Sequence, residues 1–276
     1  MTARIPTNMA KRQYLFRKLL VLALLGSIVF VGFQVIYPDV AKLKKENPRK
    51  TAFMEYREEE WRREGKNYRV QQTWVPYRAI SPYLVKAVLI GEDDKFWQHE
   101  GFDYEAIQKA LEKDIKAKKF KLGGSTISQQ LAKNLYLTPS KNPLRKIREA
   151  IITWRMERAL TKKRILEIYL NVAEWGDRGI FGIEAAARSY YGKSASALGP
   201  EEAARLAAIL PNPRKFNPLG TSRYVVNRSN LIYNIMVRRG IVVPEYEEVE
   251  LTSPGSSEDN KSRTVTPIEE TKPAAN

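Results

Sequence analysis

Three carboxylates stand in succession in the segment GEDDKFWQHEG, residues 91–101, as Glu92, Asp93 and Asp94. Phe96, Trp97 and His99, the only histidine of the chain, follow within a few residues. A carboxylate held beside aromatic neighbours is desolvated, which raises its pKa toward the range where it accepts protons from weak acids at neutral pH. General-base chemistry is therefore one reading of this segment. The other is a solvated charge run behind a helix, with Phe96 and Trp97 as core plugs and His99 as a turn residue.

A second polar cluster, GGSTISQQLAKN at 123–134, brings Ser125, Thr126, Gln129, Gln130, Lys133 and Asn134 close behind a glycine pair. Helical spacing puts Gln130, Lys133 and Asn134 on one face. A helix N-terminus beside glycines that permit close backbone approach suits a sugar or a diphosphate. An ordinary turn and a capped polar helix is the alternative, and a P-loop is excluded because G-K-[ST] is missing. In RKIREAIITWRMER, residues 145–158, Arg145 and Lys146 lie one turn before Glu149. They are either a surface ion pair worth tenths of a kcal/mol or an acid set among working cations. From Lys109 to Arg164 the chain carries 16 Lys and Arg against 4 Asp and Glu, most of the net charge of +16. Such a field attracts diphosphates, for which lysine is a point charge and arginine a bidentate partner. A fourth stretch, KKRILEIYLNVAEWG at 162–176, offers Ile165, Leu166, Ile168 and Leu170 to a core and reads mainly as structural support.

The elements that must carry these residues are helices. Ser81-Pro82 opens one with apolar Leu84, Val85, Val88 and Leu89 at helical spacing, delivering Glu92 at its C-terminal end. Asp103 is an N-cap for a helix with Ile107, Ala110, Leu111 and Ile115 on one face. Ser125 or Thr126 caps the next, and Pro143 begins another in which Leu144, Ile147, Ile151 and Trp154 recur as an apolar stripe. Further helices follow in 162–176, GIEAAARSYYG and EEAARLAAILPNP, and no alternating strand is evident.

The whole chain has 276 residues and 43% hydrophobic content, enough for one sizeable core. No cysteine occurs, which removes disulfides, zinc thiolates and thiol nucleophiles from consideration. The uncharged run 19–37, LLVLALLGSIVFVGFQVIY, is long enough for a transmembrane helix. A cleaved signal peptide fits less well, since the run exceeds a usual h-region and no small-residue cleavage site follows. Arg4, Lys11, Arg12, Arg17 and Lys18 precede it without an acid, so residues 1–18 are expected in the cytoplasm and everything after 38 on the far side. That topology makes lipid phosphate a better anionic partner than nucleic acid. Residues 38–75 read as a charged stalk or peripheral helix, 76–250 as the main domain, and 251–276 as a polar disordered tail.

Taken in order, the four stretches resemble glycosyltransferase family 51, the peptidoglycan glycosyltransferases, in their monofunctional biosynthetic form. Glu92, Asp93, Phe96, His99 and Gly101 match the family's E-D-x-x-F-x-x-H-x-G, and Gly123, Ser125, Thr126, Gln129 and Gln130 its G-x-S-T-x-x-Q-Q. Arg145, Lys146 and Glu149 match R-K-x-x-E, and Lys162, Ile165, Leu166, Glu167, Tyr169, Leu170 and Asn171 match K-x-x-I-L-E-x-Y-L-N. The resemblance covers about residues 75–240. Ser128 stands where Thr is common, and a fifth motif is only loosely echoed by RSNLIYNIMVRR at 228–239.

The resemblance implies a mainly α, lysozyme-like domain with a smaller membrane-facing jaw, located around 117–140, behind one transmembrane helix. It implies polymerisation of lipid II onto a growing undecaprenyl-diphosphate glycan at the inner membrane, with inversion and a β-1,4 product. In it Glu92 is the general base and Glu149 the second catalytic carboxylate. Lys133, Arg145 and Lys146 contact diphosphate, and Asp93, Phe96, His99, Ser125, Thr126, Gln130 and Asn134 join the substrate site. Mg²⁺ or Mn²⁺ often supports this chemistry, although no carboxylate cluster demands a metal cage. Cell-division or penicillin-binding proteins are the companions such an enzyme would have.

Overall fold

A computed structural model of the chain describes residues 7–117, 124–139 and 142–243. Among them the architecture is helical: α1 Thr7–Ile36, α2 Ala52–Arg63, α3 Pro82–Glu92, α4 Tyr104–Ala117, α5 Ile127–Tyr136, α6 Pro143–Ala159, α7 Lys162–Val172, α8 Ile183–Tyr191, α9 Pro200–Ile209 and α10 Arg223–Arg238. The only β-pairing among the described residues is two isolated bridges, Gln71 with Ile180 and Glu174 with Phe181. The expected tail at 251–276 lies outside the described residues.

Two packings build the core. Along one side α3 lies on α9 and α9 on α10, and the run Ala203, Ala204, Ala207 and Ala208 lets these helices approach closely. Gly91 exploits that closeness, because a Cβ there would stand 3.2 Å from Ile232 of α10 and 3.8 Å from Ala207 of α9. On the other side α5 packs against α6, α7 and α2, burying Ile127, Leu131, Ala132 and Leu135. Within 117–140, the described residues carry α5, which is central to this second packing. Residues 118–123 and 140 lie outside the described set.

Within 38–75, read as a stalk or a peripheral helix, α2 docks on the core. Trp61 and Met54 of α2 are fully buried, Val40 and Leu43 join the same core, and Arg57 grips Glu174 through two bonds of 2.9 Å. Two large apolar anchors two turns apart on one face suffice to dock a helix whose other residues are mostly charged. In α6 the apolar stripe faces outward, with Leu144, Ile147 and Trp154 exposed, while Glu149, Ile152, Thr153 and Met156 turn inward.

Helix α1 is continuous over 30 residues, about 45 Å at 1.5 Å per residue. Its described apolar side chains from Leu19 to Leu25 are exposed on every side. Among the described residues no helix is long and apolar enough to cross a membrane. The run 19–37 includes residues 27–31 and 33–36, whose side chains lie outside the described set.

The support role of α7 is concrete at Asn171. Its fully buried side chain accepts from Val75 N at 2.9 Å and donates to Val75 O at 2.9 Å and Glu167 O at 2.8 Å. Asn171→Ala leaves those backbone groups unsatisfied, so urea unfolding should show a loss of about 2–3 kcal/mol.

Candidate active site

Glu92 ends α3, where the helix leaves the core, and only 9% of its side chain is exposed. Gln130 Nε2 donates to its Oε2 at 2.9 Å, and Arg228 Nη2 lies 3.3 Å from its Oε1. The Tyr169 hydroxyl donates to Gln130 Oε1 at 3.0 Å, which fixes the amide so that its NH₂ turns toward Glu92. Burial raises the Glu92 pKa above the ordinary carboxylate value, and the opposing pulls of Gln130, Arg228 and Lys133 do not cancel it. Burial likewise lifts Tyr169 well above the usual phenol, so it remains a donor.

The residues after Glu92 make a scaffold. Asp93 is 7% exposed; its Oδ2 accepts from Ile127 N at the start of α5, at 2.9 Å, and its Oδ1 meets His99 Nε2 at 2.9 Å. Gly101 N donates to His99 Nδ1 at 3.1 Å, which assigns the Nε2 proton to the Asp93 bond. Thr126 closes the ring: its hydroxyl donates to Gly101 O at 2.7 Å, and it forms a capping box with Gln129. Phe96 is enclosed beneath, edge-on to Trp97 and His99. Asp93, Phe96, His99 and Thr126 were expected in the substrate site. Asp93 and Thr126 border the first cleft, and the hydrogen bonds of Asp93, His99 and Thr126 also tie the Glu92 segment to α5.

This ring leaves no room for side chains at Gly101, whose φ is +91° and whose Cβ would stand 2.9 Å from both Thr153 and Glu157. Gly101→Ala is expected to cost about 3 kcal/mol in denaturant unfolding, from overpacking and a left-handed backbone together.

Glu149 lies on the inward face of α6 with 3% of its side chain exposed, and Arg145 Nη1 reaches it at 2.9 Å. Lys146 pairs with its other oxygen, and the Thr153 hydroxyl donates to its carbonyl at 2.7 Å. Lys133 of α5 sits electrostatically between the two carboxylates. Burial lowers its pKa, Glu149 and more weakly Glu92 pull it up, and Arg145 and Lys146 push it down. Two clefts flank this line. One of about 290 Å³ is bordered by Gly91, Glu92, Lys95 and Ser125, the other of about 190 Å³ by Gln130, Lys133, Asn134 and Tyr169. Glu92 on the first and Gln130 on the second are joined by their 2.9 Å hydrogen bond.

The structure therefore brings together Glu92, Gln130 and Lys133, and beside them Glu149, Arg145 and Lys146. Asn134 borders the second cleft and Ser125 the first. Among the described residues no group of three or more His, Asp or Glu could hold a metal ion. Two contributors were missed. Tyr169 was read as support, and Arg228 stood within the loosely echoed fifth motif, where nothing in the spacing joined it to Glu92. A salt bridge 136 residues long in sequence leaves no local signal.

Comparison with known proteins agrees with this arrangement. The family model described as Transglycosylase matches residues 58–237. A biosynthetic peptidoglycan transglycosylase of Dechloromonas aromatica is 51% identical over 205 residues, covering 72% of this chain and 86% of the relative. One of the same name from Nitrosospira multiformis is 46% identical over 215 residues, 78% of this chain and 93% of the relative. Another from Azoarcus sp. is 54% identical over 181 residues, 66% of this chain and 78% of the relative. A mainly helical domain with a buried carboxylate beside a cationic face, matched over most of its described length, belongs to the transglycosylase family.

Proposed function

We propose that the chain polymerises lipid II into β-1,4-linked peptidoglycan strands, with Glu92 as the general base. The observation that carries the roles is the placement of Glu92: desolvated, oriented by Gln130, and opening onto one cleft, while Lys133 borders the other and feels the charges of Glu149, Arg145 and Lys146. The 4-hydroxyl of the acceptor sugar gives its proton to Glu92 as its oxygen attacks C1 of the donor. The bond from C1 to the diphosphate oxygen breaks with inversion, and undecaprenyl diphosphate leaves. Negative charge grows on that leaving group, which Lys133, Arg145 and Lys146 offset from fixed positions. Glu149 holds two of those cations. A bound Mg²⁺ or Mn²⁺ would add positive charge there, though no carboxylate cluster among the described residues would hold it.

A membrane-facing surface accompanies this chemistry. The exposed apolar side chains of α1 and the outward stripe Leu144, Ile147 and Trp154 of α6 support it, with Arg158 stacked 4.3 Å over Trp154 as at a headgroup boundary. In this reading α1 spans the inner membrane with its N-terminus in the cytoplasm, and α6, which α1 touches, borders a membrane-facing jaw.

The pH dependence tests the base directly. Because the Glu92 pKa is raised, kcat/KM for lipid II should fall as pH drops through a value above the ordinary 4.5, where the carboxylate takes up a proton. A rate that stays level down to pH 4.5, in protein shown to remain folded, speaks against Glu92 as the base.

A further inference from the structure

The last described helix, α10, carries Arg228, and Arg239 is its C-cap, eleven residues or about three helical turns further along the same face. That face meets the segment leaving α3. Arg228 Nη2 donates to the Gly91 carbonyl at 2.7 Å as well as approaching Glu92 Oε1, and its Nε is buried without a partner. Arg239 grips Asp94 with both Nη atoms, at 2.6 and 2.8 Å. Ile232 of the same helix fills the space beside Gly91. From the opposite side Asp93 is tied to Ile127 N, and Gln130 holds the other oxygen of Glu92. Residues 91–94 are thus held between α10 and α5, with the Glu92 carboxylate at the join.

We propose that Arg228 is a positioning residue for the base: its bond to the Gly91 carbonyl fixes where the Glu92 carboxylate points, and its charge sets the pH range over which that carboxylate works. Arg239 is an outer tether on Asp94, half-exposed and correspondingly weak. The inference rests on Glu92 as general base. The groups facing Glu92 are Gln130 and Lys133 from α5, Tyr169 from α7 and Arg228 from α10, with Asp93 adjacent. Arg228 is the cation within hydrogen-bond reach; Lys133 acts from farther away.

The test is the pH profile of lipid II polymerisation by the full chain in detergent, for wild type, Arg228→Gln, Arg228→Lys, Arg239→Gln and Glu92→Gln. In Arg228→Gln the acid limb of kcat/KM should move up by about one pH unit, since an opposing charge has been removed. Its plateau should fall about tenfold from lost orientation. Arg228→Lys keeps the charge and forfeits one of two bonds, so its limb stays while its plateau drops several-fold. Arg239→Gln should leave the limb in place. An unmoved limb in Arg228→Gln, with Glu92→Gln inactive, overturns the role of the charge. A wild-type plateau in Arg228→Lys overturns the positioning, and decides the matter should Arg228→Gln not fold. Full activity of Glu92→Gln would instead overturn the base, and this inference with it.

Discussion

Glu92→Gln is expected to lower the polymerisation rate by about 10³-fold at pH 7 while raising the melting temperature. The two effects have one cause. Burial raises the folded-state pKa of Glu92, so its contribution to stability is full below the unfolded carboxylate value and is lost as pH rises through the folded one. At pH 7 the ionised carboxylate is a burden on the fold that catalysis requires. Glutamine keeps the shape and still accepts from Gln130, but it takes no proton. Calorimetry at pH 7 and pH 4 should show the gain in the variant shrinking at the lower pH.

Glu149→Gln should be the second large effect, about a 10²-fold loss in kcat/KM, because it releases the cations rather than removing a proton acceptor. Arg145 and Lys146 both close on this buried carboxylate, and Lys133 feels it more strongly than any other charge. Without it the three cations repel one another and drift from the path of the leaving diphosphate. Steady-state kinetics should therefore show KM for lipid II rising along with the fall in kcat. A change confined to kcat, with a pH limb altered like that of Glu92, would assign Glu149 a proton instead.

Much of the site was readable because its parts are local. The carboxylate at a helix end followed from Ser81-Pro82 and the spacing of Leu84, Val85, Val88 and Leu89. The start of α5 was legible as a cap at Ser125 or Thr126, and Thr126 forms it in a capping box with Gln129. The cation cluster around Glu149 is a matter of i+3 and i+4 spacing. What was not readable depends on long-range packing. Asp93 and His99 look like site residues in sequence, and only the arrival of the α5 N-terminus shows that they also carry a scaffold. Trp61 and Met54 vanish among the charges of α2, although they bury it. The stripe of α6 was legible as apolar, but periodicity does not say whether its solvent is core or lipid. Arg228 needed the fold to reach Glu92.

The most direct measurement supplies purified full-length protein with lipid II in detergent at pH 7 and follows the products for wild type and Glu92→Gln. The account predicts polymeric glycan and released undecaprenyl diphosphate from wild type, and almost none from the folded variant. Equal polymer from both, or hydrolysis of preformed glycan by wild type in place of polymerisation, would contradict it.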